Sequence, residues 1–323
     1  MNSSTNITRV IGMTLSEKYR PKSFDDFVYQ DHIVPSLKLI HDKKEIPNML
    51  FVGPPGCGKT TSAYLLAKDR CQLIELNASD DRGIEVIRGK IKHNAYTAKE
   101  KIIFLDEADN LTAEAQGALR KIMEDAPNTT FILSVNREHK LIAAIKSRCA
   151  IFRFTKIPDD LIRQRIMEIL SIEKIEPDGD IDDLRDGLNS LVKNARGDLR
   201  YALNTLDTVV TDDNKIKAST IKILEKPRNI QHILQMAIDG SIQNSRQLFE
   251  DIIIRGTFTN DELLEEFYQA IENLATKDEI KAKLVIKLRD IDDTLTRGGI
   301  PMIQFIALLY LAYISPHMKG VVK

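Results

Sequence analysis

Tryptophan is absent from the chain, cysteine occurs 3 times, and aromatic residues make up 6% of the 323 positions. Cys57, Cys71 and Cys149 are an odd set without C-x-x-C spacing, which excludes a disulfide-stapled secreted domain. The 6 histidines do not gather near them, which argues against a structural zinc site. An intracellular, reducing compartment is therefore expected. Long apolar runs are also lacking. Ile300 to Ile314 is too short to span a bilayer and is interrupted by Pro301 and Gln304, so it reads as a buried helix. Met1 to Gly12 is polar and lacks the basic start and apolar core of a signal peptide. No membrane partner is expected. Neither charge is in excess: 46 basic against 47 acidic residues leave a net charge of −1. Contact with nucleic acid would have to come from a local patch. Repeats and low-complexity segments are missing, and the length suffices for two or three domains with real cores.

What the chain does contain is Gly53-Pro54-Pro55-Gly56-Cys57-Gly58-Lys59-Thr60. An apolar strand-like run, Met49 to Val52, precedes it, and a helix-forming run from Thr61 to Lys68 follows. In that context the G-x-x-x-x-G-K-[ST] pattern is a phosphate site. The glycines let several N–H groups face one anion, and the helix N-terminus adds positive partial charge. Lys59 reaches toward β- and γ-phosphates, and Thr60 offers its hydroxyl to Mg²⁺. Ile102 to Leu105, ending in Asp106-Glu107, reads as a buried parallel strand with carboxylates at its C-terminal end, the edge where open α/β sheets bind ligands. Asp106 suits the metal shell that Thr60 begins, and Glu107 suits the activation of a water. Phe131 to Asn136 is a further strand. Its Asn136 could bond a γ-phosphate or the attacking water, or simply form a turn.

Other segments complete the pattern. Leu73 to Asn77 and Ala150 to Phe154 read as strands, and Ile33 to His41 and Thr112 to Asp125 as helices, with Thr112 an N-cap. Repeated alternation of strand and helix implies a parallel sheet covered by helices. Ile84, Ile87, Ile91 and Ala95 mark an amphipathic helix whose other face carries Arg88, Lys90, Lys92 and His93, either solvated or a nucleic-acid contact. Pro158 is a boundary beyond which the strands are expected to stop. Glu176 to Asp180 reads as a turn, and Ile181 to Val192 and Leu199 to Val210 as helices. Arg200 is offset from the apolar face of the last. Lys226-Pro227 is a second hinge, and helical spacing continues from Ile230 to Ile314.

Taken with Glu17-Lys18-Tyr19-Arg20-Pro21, Glu75 to Asp80, Ser147-Arg148-Cys149 and Gly197 to Arg200, these motifs resemble the replication factor C small subunits. Those are sliding-clamp loaders of archaea and eukaryotes, within the AAA+ ATPases. The resemblance implies an α/β chain: a P-loop AAA+ parallel-sheet domain with its N-terminal arm over 1–157, a small helical lid over 158–226, and an all-helical collar for oligomerisation over 227–323. It implies ATP and Mg²⁺ as cofactors. Gly53 to Thr61 would cradle the nucleotide, with Tyr19 and Arg20 of the arm packed against it and Thr60 and Asp106 on the metal. Glu107 and Asn136 would be catalytic, Arg200 would sense the γ-phosphate from the lid, and Arg148 would complete the neighbouring subunit's site as an arginine finger. Arg82, Arg88 and Lys92 would follow the DNA backbone. The implied partners are a large clamp-loader subunit and other small subunits in a pentameric ring, the sliding clamp, and primer–template DNA. The setting would be the cytoplasm in an archaeon or the nucleus in a eukaryote. Leu15 departs from a tryptophan usual there, and Asn94 from an aromatic that favours clamp contact. Two other readings compete. Another AAA+ DNA motor or initiator would carry a C-terminal winged helix, and no β-hairpin is evident after Ile230. A subunit that binds ATP without hydrolysing it is opposed by intact Lys59, Asp106, Glu107 and Asn136.

Overall fold

A computed structural model describes residues 13–43, 45–79, 85, 89, 91–96, 99–126, 128–211, 213–216, 230–254 and 258–316. The chain divides into two units, Met1–Leu224 and Glu225–Lys323.

The first unit is built on five strands: β1 (Met49–Val52), β2 (Gln72–Asn77), β3 (Lys101–Asp106), β4 (Thr129–Val135) and β5 (Ala150–Arg153). All pair in parallel in the order β2-β3-β4-β1-β5. The apolar runs have no polar alternation because β1, β3 and β4 are covered on both faces. Met49, Leu50 and Phe51 are fully buried, as are Ile103 and Phe104. One face packs Ile103, Leu105 and Leu133 against Leu119 and Ile122 of the helix Ala113–Asp125. The other packs Phe51, Phe104 and Ile132 against Leu37 and Leu66. The order reverses at β1, and the ends of β1, β3 and β4 meet at that point. An open α/β sheet leaves its crevice there.

The α-helices of the first unit include α1 (Leu15–Lys18), α2 (Val34–Asp42), α3 (Lys59–Ala67), α4 (Lys92–Ala95), α5 (Ala113–Asp125), α6 (Ala143–Lys146), α7 (Asp159–Glu173), α8 (Ile181–Ala195) and α9 (Leu199–Val209). Four residues suffice for α1 because Thr14 and Glu17 form a reciprocal capping box. Pro21 follows soon after, and the pair Phe24 and Phe27 stacks with ring centroids 6.1 Å apart. Thr112 caps α5, accepting from the N–H of Ala115 at 3.2 Å. Helices α7, α8 and α9 share an apolar core that takes in Leu15, Tyr19, Val28 and Tyr29 from the arm. Leu15 is thus a buried anchor, contributing about 2 kcal/mol by burial.

One expectation fails in this region. The strands do not stop at Pro158: β6 (Glu176–Pro177) pairs in parallel with β7 (Lys215–Ile216). Two residues carry no readable period, so this ladder was invisible, and the segment read as a turn.

The second unit is helical: α10 (Ile230–Ile238), α11 (Ile242–Ile254), α12 (Asn260–Glu272), α13 (Asp278–Thr296) and α14 (Pro301–Ile314). Phe249, Phe267 and Phe305 meet in its core, the last two stacked 4.7 Å apart. Along α14, Phe305, Leu308, Leu309 and Ala312 are buried in that core. Among the described residues no helix is long and apolar enough to cross a membrane.

Candidate nucleotide site

A cavity of about 630 Å³ opens at the carboxyl ends of β1, β3 and β4. Pro55 to Thr61 line it, together with Asp106, Glu107 and Asn136 from the strand ends, Tyr19 and Arg20 from the arm, and Arg200 from α9. The loop between β1 and α3 follows from its glycines. Gly56 has φ 66° and Gly58 has φ 102°, left-handed conformations that other residues resist. A Cβ on Gly56 would lie 1.8 Å from Asp198 Oδ1, and one on Gly58 would lie 2.6 Å from the Phe27 ring. Gly58 is the N-cap of α3 and gives its first turn no side-chain partner, so the N–H groups there suit an anion.

The side chains form one connected set. Lys59 Nζ donates to the carbonyls of Gly53 and Pro54, both at 2.7 Å, and to Asn136 Oδ1 at 3.1 Å. Gly53 and Pro54 therefore serve the site through their carbonyls. Burial holds the Lys59 ammonium below its ordinary pKa, opposed by the carboxylates of Asp106, Asp109 and Asp198. Thr60 Oγ1 donates to Asp106 Oδ2 at 3.2 Å. The other carboxylate oxygen of Asp106 accepts from Ser134 Oγ at 2.5 Å and from the Glu107 N–H at 3.0 Å. A threonine hydroxyl beside a carboxylate, all oxygen, is the donor set that a hard cation such as Mg²⁺ takes alongside phosphate oxygens. Glu107 has φ 53°, and its Oε2 accepts from Asn110 Nδ2 at 3.1 Å. The Cys57 side chain turns away into the core, with Sγ 2.9 Å from the Pro54 carbonyl, and burial pushes its thiol pKa up.

The arm is held from two sides. Tyr19 lines the cavity, but its hydroxyl donates to Glu173 on α7, and Lys18 pairs with the same carboxylate at 2.6 Å. Arg20 Nε donates to Thr61 Oγ1 at 3.2 Å, and its guanidinium lies 4.5 Å above the Tyr64 ring. Arg20 Nη2 is buried without a hydrogen-bond partner, a donor that a ligand in the cavity would satisfy.

Arg148 lies outside the cavity. Its guanidinium bonds Glu124 at the end of α5 and the carbonyl of Ala144, the latter at 2.6 Å. Lys92 is exposed on α4. Arg82 and Arg88 lie outside the described residues. Sequence reasoning missed Asp198, Ser134, Asn110 and Gln30. Asp198 caps α9 by accepting from the Tyr201 N–H at 2.8 Å, and burial against the phosphate loop raises its carboxyl pKa, opposed by that N–H and by Arg200. Its place just before Arg200 was the available signal. The others carry none, being single polar residues in apolar or turn-rich stretches.

Residues 49–157 match the ATPase family associated with various cellular activities, and residues 225–310 match the replication factor C C-terminal domain. The chain is 38% identical over 318 residues to the replication factor C small subunit of Archaeoglobus fulgidus, covering 94% of this chain and 97% of that one. It is 36% identical over 336 residues to that of Staphylothermus marinus, covering 99% and 100%. Among solved structures, the Thermotoga maritima RuvB Holliday junction branch migration motor superimposes with a TM-score of 0.55 at 20% identity, over 68% of this chain and 79% of that one. The last likeness concerns the fold alone.

Proposed function

The chain belongs to the replication factor C small subunits, within the AAA+ ATPases, and from that premise we propose that it binds and hydrolyses ATP in order to open a sliding clamp and load it onto primer–template DNA. The observation that carries this is the meeting of Lys59, Thr60, Asp106, Glu107 and Asn136 on one cavity at the sheet's switch point, with Arg200 lining the same cavity. Domains over 1–157, 158–226 and 227–323 act as ATPase, lid and collar.

Lys59 exchanges the carbonyls it now holds for phosphate oxygens, and the loop N–H groups take up the remaining negative charge. Thr60 and Asp106 would hold Mg²⁺, which would supply charge neutralisation for the phosphates. Glu107 accepts the proton of an attacking water, and Asn136 orients that water or the γ-phosphate. Arg20 and Tyr19 close the base end. Arg200 contacts the γ-phosphate from the lid, so the lid's position depends on the nucleotide. Arg148 acts on the adjacent subunit, leaving Glu124 as it does so. Arg82, Arg88 and Lys92 follow the DNA backbone, and the collar joins this subunit to the large subunit and its sister small subunits in a pentamer. In an archaeon this takes place in the cytoplasm, and in a eukaryote in the nucleus. A branch-migration motor is disfavoured by residues 225–310, which match a replication factor C domain.

The test is co-expression with the large subunit, native mass spectrometry of the product, and ATPase assays of it. A pentamer whose hydrolysis rises with primer–template DNA and clamp together is the expected result. A homohexamer indifferent to the clamp would refute the reading.

A further inference from the structure

Gln30 is 1% exposed, yet its backbone lies in the left-handed region at φ 92°. A long side chain rarely adopts that conformation, and it persists only where the surroundings over-determine it. Here they do. Gln30 Nε2 donates to the Thr155 carbonyl at 2.7 Å, and Gln30 Oε1 accepts from the Thr155 N–H at 3.1 Å. The amide thus pairs with both polar groups of one backbone residue, as a strand neighbour would. The same Nε2 lies 3.5 Å from the carbonyl of Cys57, in the middle of the phosphate loop. Two residues on, His32 Nε2 bonds the Arg153 carbonyl at 2.8 Å.

Thr155 stands where the chain leaves β5 for the lid. Two residues later the Ile157 N–H donates to the Gly197 carbonyl at 3.3 Å. Gly197 adjoins Asp198, whose carboxylate rests against Gly56 of the phosphate loop. Loop, hinge and the start of α9 therefore touch in sequence, and Gln30 is the side chain that spans the first two.

We propose that Gln30 is a positioning residue that locks the phosphate loop to the hinge at Thr155, so that a nucleotide on the loop shifts the lid segment carrying Arg200. The proposal rests on the reading of this cavity as a nucleotide site whose lid responds to its contents. The test measures the coupling directly.

Hydrogen–deuterium exchange is followed in the full chain with and without Mg²⁺ and a non-hydrolysable ATP analogue. Two variants are compared with the wild type. Gln30→Gly suits the left-handed backbone and removes the contacts to Thr155 and to Cys57. Gln30→Asn keeps an amide and tolerates that backbone, but is one methylene short of Thr155. The wild type is expected to slow exchange over 56–61 and over 197–208 when the analogue binds. Both variants should melt cooperatively and bind the analogue within about tenfold of the wild type, the loss of one net hydrogen bond. They should keep the slowing at 56–61 and lose it at 197–208. Slowing at 197–208 that persists in folded variants would overturn the role of Gln30 and leave the nucleotide site standing. Absence of slowing at 197–208 in the wild type would overturn the lid reading and this proposal with it. If neither variant folds, Gln30 is a determinant of the fold and the proposal is also wrong.

Discussion

Lys59 spends its charge on the carbonyls of Gly53 and Pro54 and on Asn136. Replacing it with alanine removes the cation that would meet the phosphates. Affinity for a fluorescent ATP analogue is expected to fall by about 100-fold, roughly 3 kcal/mol, the upper range for a charged hydrogen bond. Glu107→Gln should behave differently, because Thr60 and Asp106 are untouched. Binding should survive while turnover in the assembled complex drops by about 10²–10⁴; an unchanged steady-state rate would remove Glu107 from the mechanism. Cys149, next to Arg148, offers a check of the burial itself. Desolvation pushes its thiol up to about 12 from 9.0. Thiolate is the reactive form, so alkylation by iodoacetamide at pH 8 should run about 10³ slower than for a free thiol. It should rise tenfold per pH unit. The folded pKa exceeds the unfolded one, so this group's contribution to stability is full below pH 9.0 and is lost as pH rises toward 12. Ordinary alkylation rates in the folded chain would mean that the segment around β5 opens freely.

Elements decide which residues face one another. The strand ends deliver Asp106 and Asn136 from different strands to one point, because the sheet order puts β4 between β3 and β1. The capping box at Thr14 holds α1 so that Leu15 enters the core of α7, α8 and α9 while Arg20 reaches Thr61. The basic residues that the sequence places around α4 are a separate matter. If Arg82, Arg88 and Lys92 each meet a phosphate of duplex DNA, changing all three to alanine should flatten the log–log salt dependence of binding by about 0.9 per contact. Filter binding of the assembled complex across salt concentrations would measure it, and an unaltered slope would mean a solvated face.

At the scale of the whole molecule, Arg148 sits apart from its own cavity and holds Glu124. An exposed pair of this kind contributes about 1 kcal/mol at most, so exchanging it for a developing phosphate charge costs little. Arg148→Ala should leave this chain's ATP affinity near normal and slow hydrolysis at the neighbour by a factor on the order of 10³–10⁵. Rings are assembled with Arg148→Ala and Lys59→Ala chains in defined positions, and single-turnover hydrolysis is measured. Loss that follows the altered chain's own site, whatever its neighbour, would rule out action in trans.

The sequence alone determined the phosphate loop, the acidic strand end, the alternation that makes a parallel sheet, and the helical run after Ile230. Each of these is local: a fixed spacing, a period or a cap is set by backbone geometry within a few residues. Tertiary structure decided the rest. The two-residue ladder of β6 and β7 exists because distant segments meet, and no period announces it. Gln30 and Asp198 matter through partners far along the chain, Thr155 at one end and Gly56 at the other. A buried amide with both its groups paired, or a carboxylate pressed against a glycine, has no signature of its own. Its meaning comes from what folding places beside it, where the cost of leaving a buried polar group unpaired fixes the arrangement.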